Sequence, residues 1–138
     1  MKKIIVYFDG GTYKKRVAIV DVNCGYKIRV WENLKSKTNN EFEFLALAKA
    51  LDYVYSEYGS NAKNVILYGD SQLVINGIKN DSQFSTRNLK KFEKMTREKL
   101  RKFNTAPTLN WITREENLAG FILDMLYSKR KRLDKILR

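Results

Sequence analysis

The sequence predicts an α/β fold: a mixed five-stranded sheet, three antiparallel strands followed by parallel additions, flanked by helices. Three observations predict it. Short β-branched and aromatic runs come first, joined by connections too short to hold a helix, so the first three strands form an antiparallel meander. From residue 38 onward, stretches with apolar residues at helical spacing alternate with two further short apolar runs. A strand that returns after a helical crossover lies parallel to its neighbour. The order is βββαβ(αα)βα, and 138 residues suit one domain spanning 1–138 with its own core.

The first strand, Ile4-Ile5-Val6-Tyr7-Phe8, is expected to stop in a turn at Asp9-Gly10-Gly11. Residues 16–21 (RVAIVD) make the second strand, Asn23-Cys24-Gly25 a tight turn, and residues 26–31 (YKIRVW) the third. Thr38-Asn39-Asn40 is helix-start chemistry, with Glu41 and Glu43 favoured by the helix dipole in the first turn, and this helix runs to Gly59. Residues 65–68 form a short apolar strand ending at Gly69-Asp70, and residues 71–78 a helix. Residues 86–103 form a basic amphipathic helix with Leu89, Phe92, Met95 (or Thr96) and Leu100 on one stripe. Pro107 ends it, residues 109–112 make the fifth strand, and a last helix starts at about Asn117. There is no internal repeat, low-complexity segment or linker.

Composition narrows the chemistry. The 27 Lys and Arg against 15 Asp and Glu give a formal net charge of +12, which favours a polyanionic partner because phosphate contacts release condensed counterions. Part of the excess is clustered, in residues 87–102 and 129–138. A lone cysteine, Cys24, excludes an intramolecular disulfide and a Cys-rich zinc site, and the absence of histidine excludes Ser-His and Cys-His catalysis. Hydrolytic chemistry must then run on carboxylates. No signal peptide opens the chain and no segment has the ~20 apolar residues of a membrane helix, so a soluble, cytoplasmic protein is expected.

Asp9 and Asp70 each lie at the end of an apolar strand. Either one alone reads as well as a turn or helix-cap aspartate. Glu43 discriminates. Leu47, Leu51 (or Ala50) and Val54 follow it at helical spacing, so it begins a stripe that must face the sheet. A buried carboxylate needs a compensating charge. No Lys or Arg sits close enough in sequence to serve as an obvious partner. If the helix packs across strands one and four, three carboxylates converge, and a divalent cation is what relieves their repulsion. A few oxygen-only ligands suit Mg²⁺ or Mn²⁺.

These residues sit in four ordered pieces: Tyr7-Phe8-Asp9-Gly10-Gly11, Thr38-Asn39-Asn40-Glu41-Phe42-Glu43-Phe44-Leu45-Ala46-Leu47, Tyr68-Gly69-Asp70-Ser71-Gln72-Leu73-Val74 and Trp111-Ile112-Thr113-Arg114-Glu115-Glu116-Asn117. In order, spacing and placement the chain resembles a type 1 ribonuclease H over essentially its whole length. The resemblance implies a ribonuclease H-like fold and a metal-dependent endonuclease that cuts the RNA strand of RNA–DNA hybrids, leaving 5′-phosphomonoesters. It implies that Asp9, Glu43 and Asp70 hold two Mg²⁺ or Mn²⁺ ions, one activating water and one stabilising the leaving 3′-oxygen. It further implies that Asn39, Asn40 and Gln72 contact the minor groove, where 2′-hydroxyls mark RNA, that Gly10 and Gly11 underlie the scissile strand, and that Asn117 joins the substrate site. Helix capping is a second reading of Asn39 and Asn40.

Two departures from that pattern stand out. Only Thr12-Tyr13-Lys14-Lys15 follows the first Asp-Gly-Gly, in place of a longer Gly- and Asn-containing hairpin. Tyr13, Lys14 and Lys15 then either substitute for its contacts or form an ordinary turn. The fourth acid, normally four residues after the Asn matching Asn117, is Phe121, and the nearest acid downstream is Asp124. Asp124 either takes the fourth catalytic and metal-binding place, helped by small Gly120, or faces solvent. A loop histidine common in the family is replaced by Arg114-Glu115-Glu116. The expected molecule is a monomer bound to an RNA–DNA hybrid. The competing expectations are a catalytically weak or inactive nucleic-acid-binding module and a DNA nuclease of the same fold.

Overall fold

A computed structural model describes residues 2–23, 25–80, 84 and 86–136. Cys24, at the centre of the expected second turn, lies outside the described residues. The strands are β1 (Ile4–Gly11), β2 (Arg16–Asp21), β3 (Lys27–Trp31), β4 (Val65–Gly69) and β5 (Thr108–Trp111). The helices are α1 (Asn39–Tyr58), α2 (Gln72–Lys79), α3 (Arg87–Leu100) and α4 (Leu118–Ile136). The sheet runs β3-β2-β1-β4-β5, with β1, β2 and β3 antiparallel and β4 and β5 added in parallel to β1. This is the expected mixed architecture.

β1 does not stop at Asp9. It continues to Gly11, with Asp9 opposite Ala18, Gly10 opposite Val17 and Gly11 opposite Arg16. The reversal is made by a single 3₁₀ turn at Tyr13–Lys15, in which Lys14 and Lys15 adopt positive φ of 55° and 51°. So tight a reversal leaves the extra residues to the ladder. Asp9 is therefore held on a paired strand rather than in a loop.

Both faces of the sheet are covered. Every residue of β2 is buried, and its side chains alternate between two layers. Val17 and Ile19 join the core beneath α1, whereas Ala18 and Val20 pack with Ala119 and Leu123 of α4. On its outer side α1 meets α3, where the Phe44 and Phe92 rings stack at 5.9 Å. Thr96, not Met95, is the fully buried member of the α3 stripe. Thr38 caps α1 by accepting from Glu41 N at 3.2 Å, so Asn39 and Asn40 lie past the cap and are exposed. The first turn of α1 sits directly on β1: a Cβ at Gly10 would fall 2.2 Å from the Phe42 carbonyl oxygen. Gly10 thus makes room for a helix, and it also lines the cavity that holds the acids. Among the described residues, no helix is long and apolar enough to cross a membrane.

Candidate active site

The parallel pairing of β1 with β4 sets Tyr7 beside Tyr68, so two residues further along Asp9 and Asp70 come side by side. Ser71, not Asp70, caps α2 by accepting from Val74 N, which leaves the Asp70 carboxylate to the site. Trp111 Nε1 donates to the Asp70 carbonyl at 3.0 Å and fixes that turn. Glu43, the fifth residue of α1 and so just past the first turn where it was expected, arrives over Gly10, whose N–H donates to Glu43 Oε1 at 3.4 Å. One oxygen from each of Asp9, Glu43 and Asp70 lies within 4.8 Å of the others.

Asp9 and Glu43 are almost completely buried, at 1% and 5% exposure. Burial, and after it the neighbouring Asp9 charge, pushes the Glu43 carboxyl far above the usual carboxylate range. Burial also raises Asp9, against the opposing pull of a hydrogen bond with Glu43 and the Arg114 charge. Asp9 Oδ1 and Glu43 Oε2 are buried acceptors with no hydrogen-bond donor among the described residues. Two such oxygens need a proton held between them, or a cation. The donor set is all oxygen, which fits a hard divalent cation such as Mg²⁺ or Mn²⁺.

A cation is in fact present, supplied by the chain. Arg114, in a 3₁₀ turn after β5, donates from Nη1 to Asp9 Oδ2 at 2.6 Å and lies 3.5 Å from Asp70 Oδ2. Its Nη2 donates to Asp124 Oδ1 at 3.1 Å. Partial burial disfavours the guanidinium charge, but Asp9, Asp70 and Asp124 outweigh it and hold Arg114 more firmly protonated than usual. This corrects the expectation that the acids lack a basic partner. The sequence hides it because Arg114 is 105 residues from Asp9. The available signal was a cation at the end of the strand flanking β4.

The remaining expected residues divide. Asn117 is buried at 1%, donating to the Phe8 carbonyl at 3.0 Å and to Asp70 Oδ2 at 2.9 Å, while its Oδ1 accepts from Ala119 N. It orients Asp70 and starts α4, and has no exposed surface to offer substrate. Phe121 is 59% exposed. It points away because a step of one residue turns about 100° around a helix. Gly120 and Asp124 are the pair that faces the acids, four residues apart. A Cβ at Gly120 would lie 3.3 Å from Asp9 Oδ2 and 3.2 Å from the Arg114 guanidinium. Asp124 stands on the rim, largely exposed, joined to the acids through Arg114 rather than touching them.

Gly11 and Asn39 line the same cavity as the acids, of about 320 Å³, and a Cβ at Gly11 would meet nothing nearer than Asn39 Oδ1 at 3.9 Å. Asn40 and Gln72 are exposed on the flanking helix starts. A wider cavity of about 950 Å³ lies elsewhere, between the start of α1 and α3. It is lined by Lys35, Lys37, Lys91 and Lys94 around Phe92, and suits a polyanion surface more than a reaction centre.

A family model for RNase H matches residues 1–119. The chain belongs to the RNase H family. Among solved structures, RNase H1 from the halophilic archaeon Halobacterium salinarum NRC-1 superposes with a TM-score of 0.73 at 23% identity, covering 86% of this chain and 91% of that one. LC11-RNase H1 in complex with an RNA/DNA hybrid gives 0.74 at 21% identity, over 84% and 89%. The N-terminal RNase H domain of rv2228c from Mycobacterium tuberculosis gives 0.69 at 17% identity, over 94% and 99%. At these identities the structures establish the shared RNase H-like fold. No curated protein sequence matches the chain. The RNase H match ends at Ala119, just inside α4, so Phe121 and Asp124 lie outside the matched residues.

Proposed function

We propose that this RNase H family member is a monomeric, cytoplasmic endonuclease that hydrolyses the RNA strand of RNA–DNA hybrids with two divalent ions, Mg²⁺ or Mn²⁺, leaving 5′-phosphomonoesters. The observation that carries the reading is the convergence of Asp9, Glu43 and Asp70 with two buried oxygens lacking donors. Those three would hold the ions, with Asp124 as the rim acid that completes the set after Arg114 withdraws. Bound there, the ions would supply an activated water and neutralise charge on the leaving oxygen.

The chain's own groups do the rest. Asn117 orients Asp70, and Trp111 holds the backbone at Asp70. Gly11 leaves space beside Asn39 for the backbone of the cut strand. Exposed Asn39, Asn40 and Gln72 offer amides to minor-groove edges and 2′-hydroxyls. The lysine-lined groove along α3 takes phosphates of the other strand by charge.

The test is cleavage of an end-labelled hybrid in Mg²⁺ and in Mn²⁺, beside duplex RNA, duplex DNA and branched DNA. Hybrid cleavage alone is expected, with Asp70→Asn slower by at least about a hundredfold. A folded protein that leaves hybrids intact in both metals overturns the reading, and cleavage of DNA alone replaces it with a DNA nuclease.

The three ion pairs of Arg114 favour one second reading, a non-catalytic nucleic-acid-binding module whose acids stay neutralised. That module would bind hybrids in a salt-sensitive way that EDTA and Asp9→Asn leave unchanged.

A further inference from the structure

Arg16 is unaccounted for by the site so far described. It begins β2 opposite Gly11, is 5% exposed, and its Nη1 is buried with no hydrogen-bond partner among the described residues. Its one ion-pair partner among the described residues is Glu32, whose Oε1 lies 3.3 Å from Nε without hydrogen-bonding geometry and whose side chain is nearly half exposed. A guanidinium buried this deeply with one solvated partner is under-compensated, and the missing partner is an anion.

The surroundings indicate where that anion enters. Arg16 belongs to the walls of two cavities: the one holding Asp9, Glu43 and Asp70, and a neighbouring cleft of about 360 Å³ that also takes Lys14 and Lys129. Lys14 is presented by the 3₁₀ turn at Tyr13–Lys15, which is tied down where Asn33 N donates to the Lys14 carbonyl and Leu34 N to that of Lys15. The Tyr13 ring lies 5.2 Å from the Arg16 guanidinium and meets Tyr127 of α4 edge-on at 4.5 Å, forming the wall beside the acids. Three cations, from the turn, β2 and α4, thus line one cleft that adjoins the reaction centre, with Glu32 as its one acidic wall residue among those described.

We propose that this cleft is a phosphodiester subsite: Arg16, Lys14 and Lys129 bind a backbone phosphate of the same strand whose scissile phosphate sits at the carboxylates. Arg16 supplies the buried guanidinium charge at the cleft wall, and the two exposed lysines add point charge. The inference rests on the nuclease reading for its ligand. It assigns a role to the short first hairpin, which replaces backbone contacts by charge.

The experiment measures hybrid binding by fluorescence anisotropy in Ca²⁺, with a single neutral methylphosphonate walked along the RNA strand. Wild type is compared with Lys14→Gln/Lys129→Gln and with Arg16→Gln. Both lysines are exposed, so the double variant stays informative if Arg16→Gln fails to fold. One position next to the scissile phosphate should weaken wild type several-fold and have no further effect in the variants. The salt dependence, as log K against log salt, should fall by about 1 in slope, as expected for the one phosphate no longer neutralised. Equal penalties at every position in all proteins, with an unchanged slope, would overturn the subsite while leaving the nuclease reading intact. Stabilisation by inorganic phosphate with no position-specific penalty would also overturn it, in favour of a free-anion site. Absence of any hybrid binding by wild type would remove the nuclease reading itself, and the subsite with it.

Discussion

Arg114 Nη1 donates to Asp9 Oδ2 at 2.6 Å, and so joins the loop after the last strand to the first strand of the sheet. The guanidinium occupies the charge-neutralising place that a divalent cation needs. Replacing it should therefore separate two effects. Arg114→Ala should bind Mn²⁺ more tightly, on the order of tenfold, as expected for competitors coupled at one site. The metal-free protein should lose thermal stability, since Asp9 and Asp70 are left to repel each other. Calorimetric titration with Mn²⁺ and a melting curve in EDTA check both halves. Unchanged affinity would mean that Arg114 does not compete with metal.

Asn117 should act on turnover rather than on substrate affinity. Its amide holds Asp70 Oδ2 and the Phe8 carbonyl from a buried position. Asn117→Ala should cost about 1–3 kcal/mol of stability, the usual cost of stranding a buried hydrogen-bond partner. In steady-state hybrid cleavage, kcat should fall at least about tenfold with KM nearly unchanged, since misplacing an acid weakens the transition state more than binding. A rise in KM alone would return Asn117 to the substrate surface.

The two adjacent glycines should behave differently. At Gly10 a methyl would lie 2.2 Å from the Phe42 carbonyl oxygen, a backbone atom that cannot move without the helix. Gly10→Ala should destabilise by about 1–3 kcal/mol or more, as overpacking does. At Gly11 there is space, so Gly11→Ala should leave stability within about 0.5 kcal/mol of wild type and weaken hybrid binding instead. Urea unfolding beside anisotropy distinguishes them, and equal unfolding midpoints for both variants would contradict the packing argument.

Asp21 provides a pH dependence away from the metal site. Burial works to raise its carboxyl, but hydrogen bonds from Tyr53 at 2.7 Å, Tyr58 at 2.6 Å and Asn23 outweigh it and hold the group below its ordinary value. A depressed folded-state pKa means that Asp21 contributes its stability above the unfolded value of about 3.9 and loses it as pH falls through the folded value. Asp21→Asn should cost about 2 kcal/mol at neutral pH and much less in strong acid. Unfolding free energies measured from pH 7 down to pH 2 should converge. Parallel curves would show that the carboxylate charge is not the source.

The sequence by itself determined the layered α/β order, the strand pairing and the three acids. Alternation in strands and a 3.6-residue stripe in helices are local patterns, and Glu43 at the head of the Leu47, Leu51 and Val54 stripe already implied a buried charge. Those short-range rules could not reach across the fold. Only the tertiary structure decided that β1 runs on through Asp9, that Gly10 seats a helix, and that Asn117 turns inward to Asp70. It alone decided the fourth corner of the site. There Gly120 and Asp124 face the acids while Phe121 turns to solvent, and Arg114 supplies the counter-charge. The physical reason is the same in each case. Packing distance and charge compensation depend on which residues meet in space, and Arg114 meets Asp9 from 105 residues away.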